Sequence, residues 1–156
     1  QKWSMRLTED QYILDLEWLG NAITDITINE FDYGGMFLRM PWKEGVRAEV
    51  INASRHRDLE AEGKKSMWLD IGMQVEGRYD LAHIAIFDHP LNTDAPTPWR
   101  VDGQFGVGPA RSIDGDWSIE KGTTESIRYQ LRVFTGELET GHIDEMWETF
   151  SKGETL

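Results

Sequence analysis

The stretch Glu125-Ser126-Ile127-Arg128-Tyr129-Gln130-Leu131-Arg132-Val133-Phe134 decides the fold class. Ile127, Tyr129, Leu131 and Val133 fall on one face and Arg128, Gln130 and Arg132 on the other, which is the period-two signature of a half-buried strand. Gln11 to Leu19 repeats it, with Tyr12, Leu14, Leu16 and Trp18 opposite Asp15 and Glu17. Outward from these two, Lys2 to Thr8, Ala22 to Asn29, Met36 to Met40, Arg47 to Asn52, Ser66 to Met73, Trp99 to Val101 and Trp117 to Ile119 predict further strands. Turn signals such as Gly20-Asn21, Gly77-Arg78 and Asp114-Gly115 separate them. Phe105 to Pro109 reads as a glycine-rich irregular edge. Ala53 to Lys65, mostly charged, reads as a solvated loop or at most a short helical turn. About ten short strands at this spacing predict an antiparallel β-sandwich.

The tail changes period. Ile143, Met146, Trp147 and Phe150 recur at i, i+3, i+4 and i+7, so one amphipathic helix is expected to pack on the sheet. Thr140 is its expected N-cap, acidic residues are expected in its first turn, and Gly153 suits a left-handed end. The fold expected is therefore all-β, an antiparallel sandwich with one C-terminal helix, residues 1–156 forming a single domain.

Composition removes several classes of function. Sixteen Lys and Arg against 28 Asp and Glu give a formal charge of −12, which argues against nucleic acid and anionic membrane as partners. No apolar run approaches the ~20 residues of a membrane-spanning helix. With no cysteine, disulfides, zinc–thiolate sites and thiol nucleophiles are excluded. The chain opens on Gln1, so either a leader has been removed or this is a piece of something longer; an extracytoplasmic location is slightly favoured. Seven Trp and fifteen Gly suggest a turn-rich β protein with aromatic surface.

Chemistry concentrates after Leu81 to Phe87, an apolar run that reads as a buried strand. It leads into Asp88-His89-Pro90-Leu91-Asn92 and then Pro96-Thr97-Pro98-Trp99, where three prolines forbid helix or central strand and stiffen the loop. His89 is the leading catalytic candidate: an imidazole near its ordinary pKa, on a stiff loop, suits proton transfer to a hydroxyl or carbonyl. Its structural alternative is a histidine that only orders the turn. Asp88 or Asp70 would orient it. Asn92 and Arg39 would hold hydroxyls, and Trp68 and Trp99 would offer flat faces to a sugar ring. For each there is a structural alternative: Asn92 capping a turn, Asp70 or Arg39 in an ion pair, the tryptophans in the core. His83, inside the apolar run, reads as a satisfied core histidine. No phosphate loop, His-Glu-x-x-His or Gly-x-Ser-x-Gly occurs, and the four histidines are too scattered in sequence for a metal site. No metal and no cofactor are expected.

Gly63-Lys64-Lys65-Ser66-Met67-Trp68-Leu69-Asp70, the Asp88-His89-Pro90-Leu91-Asn92 and Pro96-Thr97-Pro98-Trp99 loop, and Arg128-Tyr129-Gln130-Leu131-Arg132-Val133 resemble the C-terminal half of a bacterial family labelled methane oxygenase PmoA-like. The likeness covers roughly residues 10 to 150. Members of that family look like soluble β-sandwich proteins found among sugar-processing genes, and the sandwich is similar in style to that of sugar mutarotases. The resemblance implies the C-terminal part of a longer architecture, within a larger supersandwich. Two departures stand out. Nothing like the family's His-His-Arg-Gly motif precedes Trp3, and Ile71 stands where the family has Tyr. A half-sandwich would expose strand edges and an apolar face that must pair with missing N-terminal sequence or another copy.

Two functions are therefore expected to compete. One is a carbohydrate-active protein using His89 for acid/base chemistry on a sugar. The other is a non-catalytic sugar-binding or assembly module. Whether the chain is an enzyme is left open at this point.

Overall fold

Alternation in the two diagnostic stretches becomes the centre of a six-stranded antiparallel sheet. The computed structural model describes residues 1–153 of the 156. The strands are β1 (Lys2–Leu7), β2 (Tyr12–Asn21), β3 (Ile26–Ile28), β4 (Ala48–Asn52), β5 (Trp68–Gln74), β6 (Leu81–Asp88), β7 (Trp99–Val101), β8 (Val107–Pro109), β9 (Trp117–Ile119) and β10 (Thr124–Gly136), followed by helix α1 (Thr140–Ser151). The main sheet runs β1-β2-β10-β6-β5-β4, while β3 pairs with β9 and β7 with β8 in two small ribbons.

Period-two alternation gives the sheet two different faces. On one, Trp68, Ala85, Phe87 and Ile51 pack under Ile143 and Met146 of α1. On the other, Val50, Leu69, Ile71, Ile86 and Leu131 pack against Trp99, Val101 and Val107 of the β7–β8 ribbon. β5 and β6 are buried on both faces and read as nearly continuous apolar runs for that reason. The architecture is thus sandwich-like: a large sheet with ribbons over one face and a helix over the other. No helix among the described residues is long and apolar enough to cross a membrane.

Several local expectations are corrected. Met36 to Met40 is no strand; only Leu38 bridges to Val107, and the neighbouring Gly108 is approached so closely by the Met36 carbonyl that a Cβ there would lie 2.1 Å from its oxygen. The glycine-rich edge instead contains β8. Ala53 to Lys65 holds the short helical turn that its sequence allows, at Asp58–Ala61, and the turn buries Ala61 in the core. Thr140 lies inside α1, whose cap position is Glu139 with no side-chain cap bond, and no acidic residue occupies its first turn. Packing of Ile143 and Met146, rather than capping, holds this helix. Gly153 does adopt a left-handed φ of 72°.

β1 is an edge strand. Trp3, Met5 and Leu7 line one side of it, and Met5 and Leu7 are 69% and 65% exposed.

Candidate functional site

His89 follows the last residue of β6, so strand parity turns it toward the helix side of the sheet. There the Phe150 ring meets the imidazole edge-on, at 5.0 Å between centroids and 89° between planes. Trp147, one helical turn earlier, donates its indole N–H to the Asp88 carbonyl at 2.9 Å. The helix therefore fixes the end of the strand and the ring beyond it.

The ring's two nitrogens have different surroundings. Nδ1 accepts the Leu91 backbone N–H at 3.2 Å. A neutral imidazole accepting at Nδ1 carries its proton on Nε2. Among the described residues Nε2 has no hydrogen-bond partner, and the residue lines a cleft of about 220 Å³. Burial lowers the His89 pKa below its ordinary 6.5, and the nearby positive charge of Arg128 lowers it further. The neutral form therefore prevails at pH 7 and presents an N–H donor.

Register supplies the rest of the cleft. In the β1-β2-β10 ladder Lys2 pairs with Glu17 and Glu17 with Arg128; Ser4 pairs with Asp15 and Asp15 with Gln130. These two rows form the floor, with Arg6 beside them and His89, Phe150 and Gly153 as the wall. Asp15 accepts from Arg6 on one oxygen and from Gln130 Nε2 on the other, and Gln130 Oε1 accepts Arg132 Nε at 2.7 Å. Burial lowers the Arg132 pKa, and the neighbouring Arg6 charge adds to this, while the guanidinium bonds Gln130 through Nε and Gln11 through Nη1. Glu17 stands at the rim, 3.7 Å from Arg128 Nε.

The other residues singled out in the sequence lie elsewhere or serve the scaffold. Asp88 is buried and points to the opposite side from His89, so it does not orient the imidazole. Its carboxylate accepts from Asn92 Nδ2 at 2.7 Å and from both the backbone N–H and hydroxyl of Thr97 at 2.8 Å. Burial pushes its pKa up against the pull of those donors. Asn92 is spent as a surrogate peptide, giving Nδ2 to the Arg128 carbonyl and taking the Arg128 N–H on Oδ1, each at 2.8 Å. It thereby fixes the backbone of a cleft residue without facing the cleft. Trp68 and Trp99 are wholly buried, with indole N–H groups on Asp144 and the Ser66 carbonyl, so neither offers a free face. Asp70 is wholly buried against His83 Nδ1 at 2.8 Å. Arg39 sits across the sheet beside Gln104 and Asp102.

Sequence reasoning missed Lys2, Ser4, Arg6, Asp15, Glu17, Arg128 and Gln130. The signal was the polar side of the first strand and of the two best ones, which alternation alone does not assign to a cleft. A second, more apolar groove of about 330 Å³ lies on the opposite face, with Trp3, Trp18, Trp117 and Tyr129 in its walls. No cluster of three or more potential metal ligands occurs among the described residues.

Residues 1–148 match the model of a family of unknown function, DUF6807. Nothing in that match links the chain to the PmoA-like family. No curated protein and no solved structure matches.

Proposed function

We propose, from the premise that this chain belongs to DUF6807, that it binds a small carbohydrate-type molecule in the cleft at His89. A polar floor of charged and amide side chains beside an aromatic ring edge suits a hydroxyl-rich guest, which needs several directed hydrogen bonds and one apolar contact. The volume of about 220 Å³ lies below the roughly 300–1,000 Å³ of drug-sized pockets, which favours a single ring over a longer chain.

Of the two functions weighed from sequence, recognition without turnover has the better support, and one observation carries it: Nδ1 of His89 is taken by the Leu91 N–H. A proton relay through Nε2 would require a second proton on Nδ1, where a main-chain donor already points. The imidazole is better placed to donate to a ligand oxygen than to cycle a proton.

His89→Ala is expected to weaken binding of a monosaccharide about tenfold, the order of one hydrogen bond. His89→Gln, which can return an N–H near the same place, should recover part of it. Titration calorimetry with a set of monosaccharides measures this. Unchanged affinity in His89→Ala would remove the ligand from this cleft. A sugar converted by wild type, with turnover lost but affinity kept in His89→Ala, would restore the acid/base reading.

A further inference from the structure

The side chains of the His89 cleft can be sorted by what remains available to a ligand. Both Asp15 oxygens are engaged, by Arg6 and Gln130, and the Gln130 amide gives its nitrogen to Asp15 and its oxygen to Arg132. Those acceptors are spent. The donors are not. Among the described residues the Arg6 guanidinium bonds only Asp15, through Nη1, its Nε–H being closed off from the space. Among the described residues Arg128 has only the loose 3.7 Å approach of Glu17 to its side chain. Lys2 and the His89 Nε2–H also face the space, and the Ser4 hydroxyl serves either way.

Charge points the same direction. The chain as a whole carries −12, yet the cleft is lined by three cations (Lys2, Arg6, Arg128) against two carboxylates, Asp15 and Glu17. Behind Gln130 the Arg132 guanidinium adds a fourth positive charge, with Asp10 and Asp15 as its acidic neighbours. Among the described cleft residues Glu17 is the open carboxylate, and it stands at the rim, where a hydroxyl can donate to it.

We infer that the ligand of this cleft is a sugar acid, its carboxylate received among Arg6, Arg128 and His89 and its ring hydroxyls left to Ser4 and Glu17. Carboxylate binding by guanidinium is stronger and more directional than hydroxyl binding, and an acidic surface around a basic cleft also rejects anions elsewhere. This deepens the carbohydrate reading above and rests on it.

Calorimetric titration of the whole chain with D-glucuronate, D-glucose, acetate and inorganic phosphate, at matched ionic strength, tests it. D-Glucuronate is expected to bind at least about tenfold more tightly than D-glucose, and to weaken as salt rises, since exposed charges are screened. Arg128→Gln should remove most of that advantage, so that the ratio of D-glucuronate to D-glucose affinity in the variant falls close to one. Lys2→Gln, at an exposed position, gives a second and milder loss without disturbing the fold. Equal affinity for glucuronate and glucose overturns the sugar-acid inference but leaves carbohydrate binding intact. Acetate or phosphate binding as tightly as glucuronate overturns the sugar component of both statements. Binding of none of the four overturns both.

Discussion

Replacing Asp88 by Ala is expected to cost about 3–5 kcal/mol of folding stability, although its side chain does not line the cleft. Its carboxylate is the common acceptor for Asn92 Nδ2, Thr97 N–H and Thr97 Oγ1–H, all buried. Removing it leaves the two Thr97 donors in the interior without a partner, and each such group costs about 1–3 kcal/mol. The effect spreads to the site through Asn92, whose amide holds both backbone groups of Arg128. Urea unfolding followed by tryptophan fluorescence measures the loss. A change below about 1 kcal/mol would mean that water replaces the carboxylate, and that the proline loop is not organised around it.

The second large effect is expected at His83. Its ring lies over Gly72, where a Cβ would come within 2.8 Å of it, and stacks on Phe134 at 5.0 Å and 11°. Burial alone would lower its pKa, but the hydrogen bond and charge of Asp70 outweigh it, helped by a bond to the Gly136 backbone, and the net direction is upward. For Asp70 burial dominates, and that pKa also rises. Removing one partner of a buried pair leaves the other uncompensated, so His83→Ala should cost about 3–5 kcal/mol, while replacing both by Leu should cost much less than the sum of the single losses.

The pH dependence has a fixed sign. His83 binds its proton more tightly folded than unfolded, so that stabilisation is fully present below the unfolded value of about 6.5 and is lost as pH climbs through the raised folded value. The upward direction at Asp70 acts in the same sense at lower pH. Wild-type stability should therefore fall between pH 6.5 and the alkaline side, and His83→Ala should flatten that slope. Equal slopes in the two proteins would contradict the pairing.

Strand periodicity made most of the sheet legible. β2, β6 and β10 stand where alternation or an apolar run places them, and the i, i+3, i+4, i+7 pattern finds α1. What periodicity cannot supply is the order of strands. Asp15, Glu17, Arg128 and Gln130 were visible as the polar sides of two strands, but only the β1-β2-β10 adjacency gathers them beside His89. His89 itself was legible because a proline-braced strand end is a recognisable place for a polar side chain. The roles of its neighbours were not. Asp88 and Asn92 look the same in sequence whether they bind a ligand or hold a loop, and here they hold the loop. Trp68 and Trp99 read in the sequence as stacking faces, yet burial on opposite sides of the sheet takes both. Trp3, Trp18 and Trp117 border the apolar groove instead, and Trp147 borders a small cavity beside the proline loop.

The most direct test of the cleft as the ligand site is a nitrogen–proton NMR titration of the whole chain with D-glucuronate, following backbone amides, indole N–H groups and the His89 ring nitrogens together. The expected result is that free His89 shows a protonated Nε2 and an unprotonated Nδ1, and that ligand shifts Nε2 along with the Leu91 and Arg128 amides. Shifts confined to the indoles of Trp3, Trp18 and Trp117, or a His89 ring carrying its proton on Nδ1, would contradict it.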